Sequence, residues 1–251
     1  MSFLNKVVLI TGGSSGIGAT TAVLFSKEGA SVTIIGRNEA GLKSVSEKCE
    51  IVGKKALSIN ADITKDDKVK EIMNTIIDTF GKLDILVNNA GITSVASILK
   101  GNLLEEYDKI MNINLRAVIH LTTLATPHLI KAKGNIINVS SISGLSYFRR
   151  PAVMPYAISK AGLDHFTRGA ALELLKHGVR VNSVCPGFTR TNIFESGGIN
   201  TTWENATKSY NLERFSEPEE VADLIGFLAS DKAKGITGAN YVIDNGCMLK
   251  G

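Results

Sequence analysis

The sequence predicts a doubly wound α/β fold, in which helices cover both faces of a parallel seven-stranded sheet. Short runs of β-branched and aliphatic residues alternate with stretches whose apolar residues recur at helical spacing. Several runs are apolar at consecutive positions, as expected for strands buried on both faces. The predicted strands are Val7–Ile10, Val32–Ile35, Ala56–Ile59, Ile85–Val87, Ile136–Val139, Val179–Val184 and Tyr241–Ile243.

Composition predicts one domain over residues 1–251, since no Pro/Gly/Ser-rich linker divides the 251-residue chain. A net charge of +4 without a block of like charges argues against nucleic-acid binding. No apolar run is long enough to span a bilayer, and no leader pattern is found, so we expect a cytoplasmic protein without a membrane partner. Three dispersed cysteines indicate neither a disulfide framework nor a metal site, and the four histidines lack ligand spacing, so no metal is expected.

A glycine-rich loop follows the first strand directly and opens a helical pattern. It reads Thr11-Gly12-Gly13-Ser14-Ser15-Gly16-Ile17-Gly18. Gly12 permits a tight turn, Gly16 lets a pyrophosphate approach the backbone, and Gly18 allows close helix packing. Because the helix N-terminus adds free N–H groups, the context favours dinucleotide binding over an ordinary glycine turn.

The spacing of these glycines resembles the T-G-x-x-x-G-x-G motif of the short-chain dehydrogenase/reductase family, in its classical branch. The resemblance extends along the chain through Asn88-Asn89-Ala90-Gly91, Asn114, Ser141, Tyr156 with Lys160, and Pro186-Gly187 followed by Thr191. It implies a Rossmann-type fold with strands one and four adjacent, and a ligand at the carboxyl ends of the strands.

The resemblance also assigns cofactor contacts beyond the glycine loop. It implies that Asp62 and the neighbouring Ile63 lie at the adenine ring, although Asp62 could equally be a helix N-cap residue. The other implied cofactor residues are Ser14, Ser15, Ile17, Asn89, Ala90, Gly91, Tyr156, Lys160, Pro186, Gly187 and Thr191.

The end of the second predicted strand favours NADP(H) over NAD(H). It reads Gly36-Arg37-Asn38, so no carboxylate occupies the place that would hold the ribose hydroxyls of NAD. Arg37 can meet the extra phosphate with several fixed donors. Two alternatives stay open: Glu39 is close enough to reach a ribose hydroxyl, and Arg37 could be a solvated loop residue.

Tyr156 and Lys160 lie four residues apart, on one face of a predicted helix. Hydride transfer to a carbonyl leaves charge on oxygen, and a tyrosine hydroxyl can supply the proton. A free phenol has a pKa of about 10, and one cation at about 4 Å can lower it by roughly three units. We therefore expect Lys160, with the positive nicotinamide of the oxidised cofactor adding to its field, to bring the pKa of the Tyr156 phenol near neutrality.

Two further polar residues complete the expected catalytic group. The resemblance implies that Ser141 binds the substrate oxygen and that Asn114 anchors a water relay to Lys160. Ser140 competes with Ser141, but alternation along a strand would point it to the other side. The Ser141 to Tyr156 spacing is two residues longer than is usual in the family, which could shift the substrate mouth.

Residues 188–217 form the longest stretch without a clear strand or helix pattern, and we interpret them as a substrate-binding lid with Gly197-Gly198 as a possible hinge. Its apolar and aromatic residues, among them Phe194 and Trp203, suit a steroid-like, isoprenoid or acyl substrate. The alternative is that these aromatics pack on the domain or on a neighbouring subunit.

Together these features predict an NADP(H)-dependent oxidoreductase that interconverts a carbonyl and a secondary alcohol, with Tyr156 as general acid/base. The alternatives are a 3-oxoacyl thioester reductase and a cofactor-sensing protein without turnover. An enoyl reductase is disfavoured, because its tyrosine and lysine would be spaced further apart. The resemblance alone implies a homo-oligomer, a dimer or tetramer.

Overall fold

The computed structural model describes residues 2–146, 153–197 and 214–249. All seven predicted strands are present, with ends that shift by at most two or three residues. They are β1 (Val7–Thr11), β2 (Ser31–Gly36), β3 (Leu57–Asn60), β4 (Ile85–Asn88), β5 (Asn135–Val139), β6 (Arg180–Pro186) and β7 (Asn240–Ile243).

The strands form one parallel sheet in the order β3-β2-β1-β4-β5-β6-β7. The registers include Ile10 opposite Val87 and Val87 opposite Ile137, so the ends of the central strands are level. From β1 the chain adds strands toward one edge of the sheet, and from β4 it adds them toward the other edge, so the strand order reverses between β1 and β4. In a doubly wound sheet, loops diverge at this point and leave a crevice outside the carboxyl ends of the strands. The predicted fold class is confirmed.

Helices connect the strands and cover both faces of the sheet. The helices are α1 (Gly16–Lys27), α2 (Glu39–Val52), α3 (Asp66–Phe80), α4 (Leu103–Met111), α5 (Ala117–Ala132), α6 (Met154–Leu174), α7 (Ile193–Ser196) and α8 (Pro218–Ala229). A π-helical turn at Asn112–Arg116 joins α4 to α5. Such wide turns often occur at functional sites, and Ile113 of this turn lines the cleft described below.

Two apolar cores lie on opposite faces of the sheet. On one face, Phe25 of α1, Val45 of α2 and Ile225 of α8 pack against the strands. On the other face, Ile72 of α3 and Leu121 of α5 do the same. Every residue of β1, β4 and β5 is buried, which explains why these strands are apolar at consecutive positions.

A buried carboxylate ties the amino ends of the central strands together. Asp84 accepts a hydrogen bond of 2.9 Å from the Val7 amide, and its oxygens lie 3.2 Å from the Lys6 ammonium and 2.9 Å from the Lys82 ammonium. Burial alone would raise the pKa of Asp84, but the Val7 amide and the two lysines outweigh it and lower the pKa. The charged form of Asp84 therefore stabilises the fold.

Within the described ranges, we find no helix that combines the length and the hydrophobicity needed to cross a bilayer.

We predict that Asp84→Asn lowers the free energy of unfolding by about 1–2 kcal/mol at pH 7, since it removes a charge that two lysines and an amide stabilise. Because the folded-state pKa is depressed, this contribution is present above the unfolded-state pKa of about 4 and is lost as the pH falls through the folded-state value. Urea unfolding at several pH values measures it. A difference between the proteins that stays constant down to pH 2 would contradict the ion-pair account.

Candidate active site

A cleft with a volume of about 420 Å³ opens at the carboxyl ends of the strands, at the reversal between β1 and β4. Nearly all of the cofactor and catalytic residues expected from the sequence line it; the exceptions are Gly18 and Asn114. The expected residues found there are Gly12, Ser14, Ser15, Gly16, Ile17, Arg37, Asp62, Ile63, Asn89, Ala90, Gly91, Ser141, Tyr156, Lys160, Pro186, Gly187 and Thr191.

The floor of the cleft is held by polar contacts between the ends of β1 and β4. The Thr11 hydroxyl accepts hydrogen bonds of 3.0 Å from the backbone amides of Asn89 and Ala90. In return, the Asn89 side chain donates to the carbonyls of Thr11 at 2.9 Å and Gly12 at 3.2 Å. These reciprocal bonds fix the glycine loop against the Asn89–Gly91 turn.

Three glycines of the loop are required by close approaches or by their backbone conformation. Gly12 has a φ of +66°, and a Cβ there would lie 2.8 Å from Asn89 Nδ2. Gly16 has a φ of +53°, and its Cβ would lie 2.9 Å from Thr191 Cγ2. At Gly18 a Cβ would lie 2.3 Å from the Gly12 carbonyl oxygen, so Gly18 supports the loop from below rather than lining the cleft.

The loop leads into α1 with its amides directed at the cleft. Ser15 is the N-cap residue, and no side chain among the described residues caps the first turn of α1. Free N–H groups and the positive end of the helix dipole favour an anion at this place. The residues present therefore fit the pyrophosphate of a dinucleotide, and the glycines of the loop leave the space for it because they have no side chains.

Arg37 and Asp62 border the far end of the cleft, beyond the ends of β2 and β3. Arg37 is exposed, whereas Glu39 is not among the lining residues. Asp62 accepts hydrogen bonds from the amide and the hydroxyl of Thr64 at 3.0 and 2.8 Å. Burial opposes ionisation of Asp62, but these two bonds and the charge of Arg37 lower its pKa.

The alternative role of Asp62 as a helix N-cap residue is wrong. The N-cap position of α3 is Lys65, and Asp62 lies three residues before it in a turn closed by Thr64. The carboxylate thus stays at the rim of the cleft.

Lys160 is held in the wall of the cleft by the end of β5. Its side chain is 4% exposed, and its ammonium donates a hydrogen bond of 2.7 Å to the Val139 carbonyl. Burial lowers the pKa of Lys160 to about 8, although Asp164 and Cys185 act in the opposite direction. At pH 7 the ammonium is therefore mostly charged, and it loses its proton in the mildly alkaline range.

Tyr156 lies one turn before Lys160 on α6, with the Lys160 ammonium 5.6 Å from the centre of its ring. Burial raises the pKa of Tyr156 to about 12, while a hydrogen bond with Ser141 acts in the opposite direction. In the chain alone the pKa of this phenol therefore lies well above neutrality, because burial disfavours the phenolate and the Lys160 ammonium is bound to Val139. The expected joint effect of Lys160 and the oxidised nicotinamide on this pKa stays a prediction.

Ser140 and Ser141, adjacent at the end of β5, have different partners. Ser141 lies close enough to Tyr156 to lower the pKa of the phenol, and it accepts a bond of 3.1 Å from the Ser143 amide, which orients its hydroxyl at the start of a short 3₁₀ turn. The Ser140 hydroxyl instead donates to the Lys160 carbonyl at 3.3 Å, toward the interior of α6. Ser141 is therefore the serine placed beside the phenol.

Asn114 stands behind the cleft rather than on its surface. It is completely buried in the π-helical turn, and its amide group exchanges two hydrogen bonds of 2.9 Å with the backbone of Ile92. A Cβ on Gly91 would lie 3.4 Å from Asn114 Oδ1 and 3.5 Å from the Lys160 ammonium nitrogen. Asn114 and Lys160 thus converge on the small space behind Gly91.

Residues after β6 close the other side of the cleft. The Gly187 amide donates to the Ile243 carbonyl at 2.9 Å, and a Cβ on Gly187 would lie 2.7 Å from the Cβ of Asp244. Thr191 then lies against Gly16 across the cleft.

The expected substrate side is described in part. Phe188 and Phe215, at the two ends of the segment 188–217, pack edge to face with ring centres 6.1 Å apart. Within this segment a short helix, α7, occupies a place where no regular element was expected. The side chain of Phe194, and Trp203 together with the proposed hinge residue Gly198, lie outside the described residues.

Sequence reasoning missed several lining residues, which fall into two groups. One group directly follows strands or expected motifs and could have been found from the rule that ligands lie at strand ends; it comprises Ala61, Ile92, Thr93 and Thr189. The other lines the substrate side near Ser141 and comprises Ile142, Ser143, Ser146 and Val153, for which the only signal was the lengthened spacing between Ser141 and Tyr156.

Comparisons with known proteins agree with this geometry. A family model described as "Enoyl-(Acyl carrier protein) reductase" matches residues 12–248. The chain is 38% identical to the 3-oxoacyl-(acyl-carrier-protein) reductase FabG of Thermotoga maritima, over 99% of this chain and 100% of that one. It is 35% identical to meso-2,3-butanediol dehydrogenase of Serratia marcescens, over 98% and 96% of the two chains.

Among solved structures, a short-chain dehydrogenase from Burkholderia cenocepacia in complex with NADP superposes with a TM-score of 0.90 and 31% identity, over 99% of this chain and 100% of that one. The chain belongs to the short-chain dehydrogenase/reductase family. It is an NAD(P)-dependent oxidoreductase that acts on alcohol and carbonyl groups.

We predict that Gly12→Ala raises the dissociation constant of the nicotinamide cofactor by roughly tenfold, because a Cβ there forces a strained φ and collides with Asn89. Gly169→Ala is the matched control, since a Cβ there meets nothing within 4 Å and alanine favours the interior of α6. Fluorescence titration with the reduced cofactor measures both variants. Equal affinities would contradict the role of Gly12.

Proposed function

We propose that this protein is an NADP(H)-dependent reductase that interconverts an apolar ketone and its secondary alcohol, with Tyr156 as general acid/base. The observation that carries the proposal is that Tyr156 and Ser141 lie together in the wall of the cleft, close enough for Ser141 to lower the pKa of the phenol, one turn from the buried ammonium of Lys160. Two hydroxyl groups converge there on the place that a reacting oxygen must occupy.

The chain's own residues divide the chemistry between them. A nicotinamide bound in the cleft would supply the hydride that reduces the carbonyl carbon. Ser141 holds the carbonyl oxygen by a hydrogen bond, and the Tyr156 hydroxyl gives this oxygen its proton as the C=O double bond becomes C–OH. Lys160 presents its positive charge next to the phenol that has lost the proton.

The raised pKa of Tyr156 favours the direction of reduction near neutral pH. A phenol with a pKa of about 12 is protonated at pH 7, so it is ready to donate to the much more basic oxyanion of an alcohol. In the oxidation of an alcohol, the same group must first lose its proton. The rate of oxidation should accordingly increase with pH until Lys160, with a pKa of about 8, loses its charge.

Arg37 supports the preference for NADP(H) over NAD(H). It borders the cleft beyond the end of β2, near Ser14 and Asp62, and is exposed enough to meet a phosphate. The alternative acceptor, Glu39, belongs to the first turn of α2 and is not among the lining residues. The similar structure from Burkholderia cenocepacia holds NADP.

The residues next to Ser141 support an apolar substrate. Ile92, Ile142, Val153, Phe188 and Ile193 line this end of the cleft. Such a lining suits a steroid-like, isoprenoid or acyl chain better than a sugar. The alternative substrate, a 3-oxoacyl thioester, is favoured by the similarity to the reductase of Thermotoga maritima. Turnover of ketosteroids, isoprenoid aldehydes, diketones and acyl thioesters, each with both reduced cofactors, distinguishes these substrates.

Two other activities are less consistent with the site. The family model has the description of an enoyl reductase, but Tyr156 and Lys160 are one helical turn apart, closer than an enoyl reductase would require. A cofactor sensor without turnover would not need Ser141, Tyr156 and Lys160 together in the wall of one cleft.

The proposal includes the organisation of the chain. We infer one catalytic domain over residues 1–251, in which 188–217 acts as the substrate lid. The described ends of this segment support the assignment, because backbone hydrogen bonds hold them together. The Arg190 amide donates to the Ser216 carbonyl, and the Ser216 amide donates to the Phe188 carbonyl. An apolar depression lined by Met111, Leu115 and Ile119 supports a homo-oligomer. Three buried cysteines dispersed along the chain fit a reducing cytoplasm.

We predict that Tyr156→Phe lowers kcat for carbonyl reduction by roughly 10²- to 10⁴-fold, because the proton donor is lost. The ring stays in place, so the affinity for the cofactor should change by less than about threefold. Steady-state kinetics and cofactor titration measure the two effects. Turnover within a few-fold of the wild type would remove Tyr156 from the mechanism.

We predict that Arg37→Ala weakens the binding of NADPH by roughly 10- to 100-fold and leaves NADH nearly unchanged, because the arginine contacts a phosphate that NADH lacks. Lys43→Ala is the control, since this exposed residue of α2 removes the same charge without bordering the cleft. Equal losses for the two cofactors in Arg37→Ala would show that Arg37 does not read the phosphate.

A further inference from the structure

A buried carboxylate lies directly behind Lys160 and is not used by the mechanism above. Asp164 is 2% exposed and lies on α6, four residues after Lys160 and eight after Tyr156. Residues spaced by four share one face of a helix, so the three side chains form a row from the cleft into the interior. A carboxylate is rarely buried so completely without a charged or hydrogen-bonded partner.

The surroundings of Asp164 are suited to a charged carboxylate. Its Oδ1 accepts a hydrogen bond of 3.0 Å from the Ser183 hydroxyl and a longer contact of 3.8 Å from the Cys185 thiol, both on β6. Ser140, at the end of β5, also hydrogen-bonds to the carboxyl group. Ser183 and Cys185 can donate protons to a carboxylate, which is the form that only accepts, whereas the Ser140 hydroxyl donates to the Lys160 carbonyl.

The second oxygen of Asp164 lies under the turn that carries Ser141. Oδ2 is buried and has no hydrogen-bond partner among the described residues. A Cβ on Gly144 would lie 2.9 Å from Oδ2 and 2.7 Å from the Lys160 carbonyl carbon, so the glycine leaves the room that the carboxylate fills. A buried oxygen with no hydrogen-bond partner costs free energy of folding, so packing alone does not explain an aspartate at this position. We look for its role in the charge of the carboxylate.

Among the described elements packed against Asp164, the titratable and charged groups that face it are few. Lys160 and Arg168 lie on α6, and Cys185 lies on β6; the end of β5 contributes the uncharged Ser140. Burial is the largest effect and raises the pKa of Asp164 overall, while the two serines, Lys160 and Arg168 oppose this rise without cancelling it. In turn, Asp164 raises the pKa of Lys160 against the effect of burial.

We propose that Asp164 is a positioning residue whose negative charge keeps Lys160 protonated in the neutral range, and that it thereby sets the upper pH limit of carbonyl reduction. The inference rests on the proposed function in that the proton donor Tyr156 depends on the charge of Lys160. Asp164 touches neither substrate nor cofactor, and it acts through the ammonium one turn away.

The test compares Asp164→Asn with the wild type in the pH dependence of kcat/KM for carbonyl reduction at saturating NADPH. Asparagine keeps the shape and one acceptor but removes the charge. The alkaline limb of the profile, where Lys160 loses its proton, should move to lower pH by roughly one unit. Asp84→Asn is the matched control: it also neutralises a buried carboxylate, but at the opposite ends of the strands, and should leave the limb in place.

A second readout does not depend on turnover. In protein labelled with ¹⁵N-lysine, the Lys160 ammonium signal is assigned by its loss in Lys160→Arg and is then titrated by NMR. The titration midpoint should fall in Asp164→Asn and stay unchanged in Asp84→Asn. If the wild type reduces no carbonyl substrate, the proposed function fails, but this titration still decides the role of Asp164.

An unchanged Lys160 midpoint together with an unchanged alkaline limb would overturn the proposal. If Asp164→Asn does not fold, Ser183→Ala takes its place. This change removes one donor to the carboxylate, so Asp164 holds its charge less strongly. The limb and the midpoint should then move in the same direction by a smaller amount, and no movement would again contradict the proposal.

Discussion

The hydrogen bond from the buried Lys160 ammonium to the Val139 carbonyl is the contact on which the site depends. It joins α6 to the end of β5, and so fixes the position of Tyr156 on the helix relative to Ser141, which follows the strand. Tyr156 lies one turn earlier on α6, and Ser141 lies two residues beyond Val139. A buried ammonium that lost this acceptor would have to be desolvated without compensation, so helix and strand cannot move apart independently.

The remaining geometry follows from the parallel sheet. The carboxyl ends of β1 and β4 meet where the strand order reverses, and the reciprocal bonds between Thr11 and Asn89 hold the two ends together. This places the anion-binding end of α1 in one cleft with Lys160. The far wall is formed after β6, where Gly187 packs against Asp244. Binding of a dinucleotide and proton transfer are thus properties of the same edge of the sheet.

Local patterns in the sequence were sufficient for the strands, their parallel arrangement and the glycine loop, because burial on both faces and the need for positive φ leave direct traces. The raised pKa of Tyr156 in the chain alone could not be predicted, since the spacing to Lys160 does not reveal how deeply the phenol is buried or that the ammonium is bound to Val139. Asp164 gave no signal at all. A single aspartate in a helical pattern is usually solvated, and its burial depends on contacts with β6 that are distant in sequence.

The central claim is that Tyr156 and Lys160 act as one proton-transfer unit, and a double-mutant cycle tests it most directly. The kcat for carbonyl reduction at saturating NADPH is measured for Tyr156→Phe, Lys160→Met and the double variant, in which methionine keeps an unbranched side chain in the buried position. If the two residues form one unit, the double variant is no slower than the slower of the single variants, within about threefold. Losses that multiply in the double variant would contradict the account, because the two residues would then act independently.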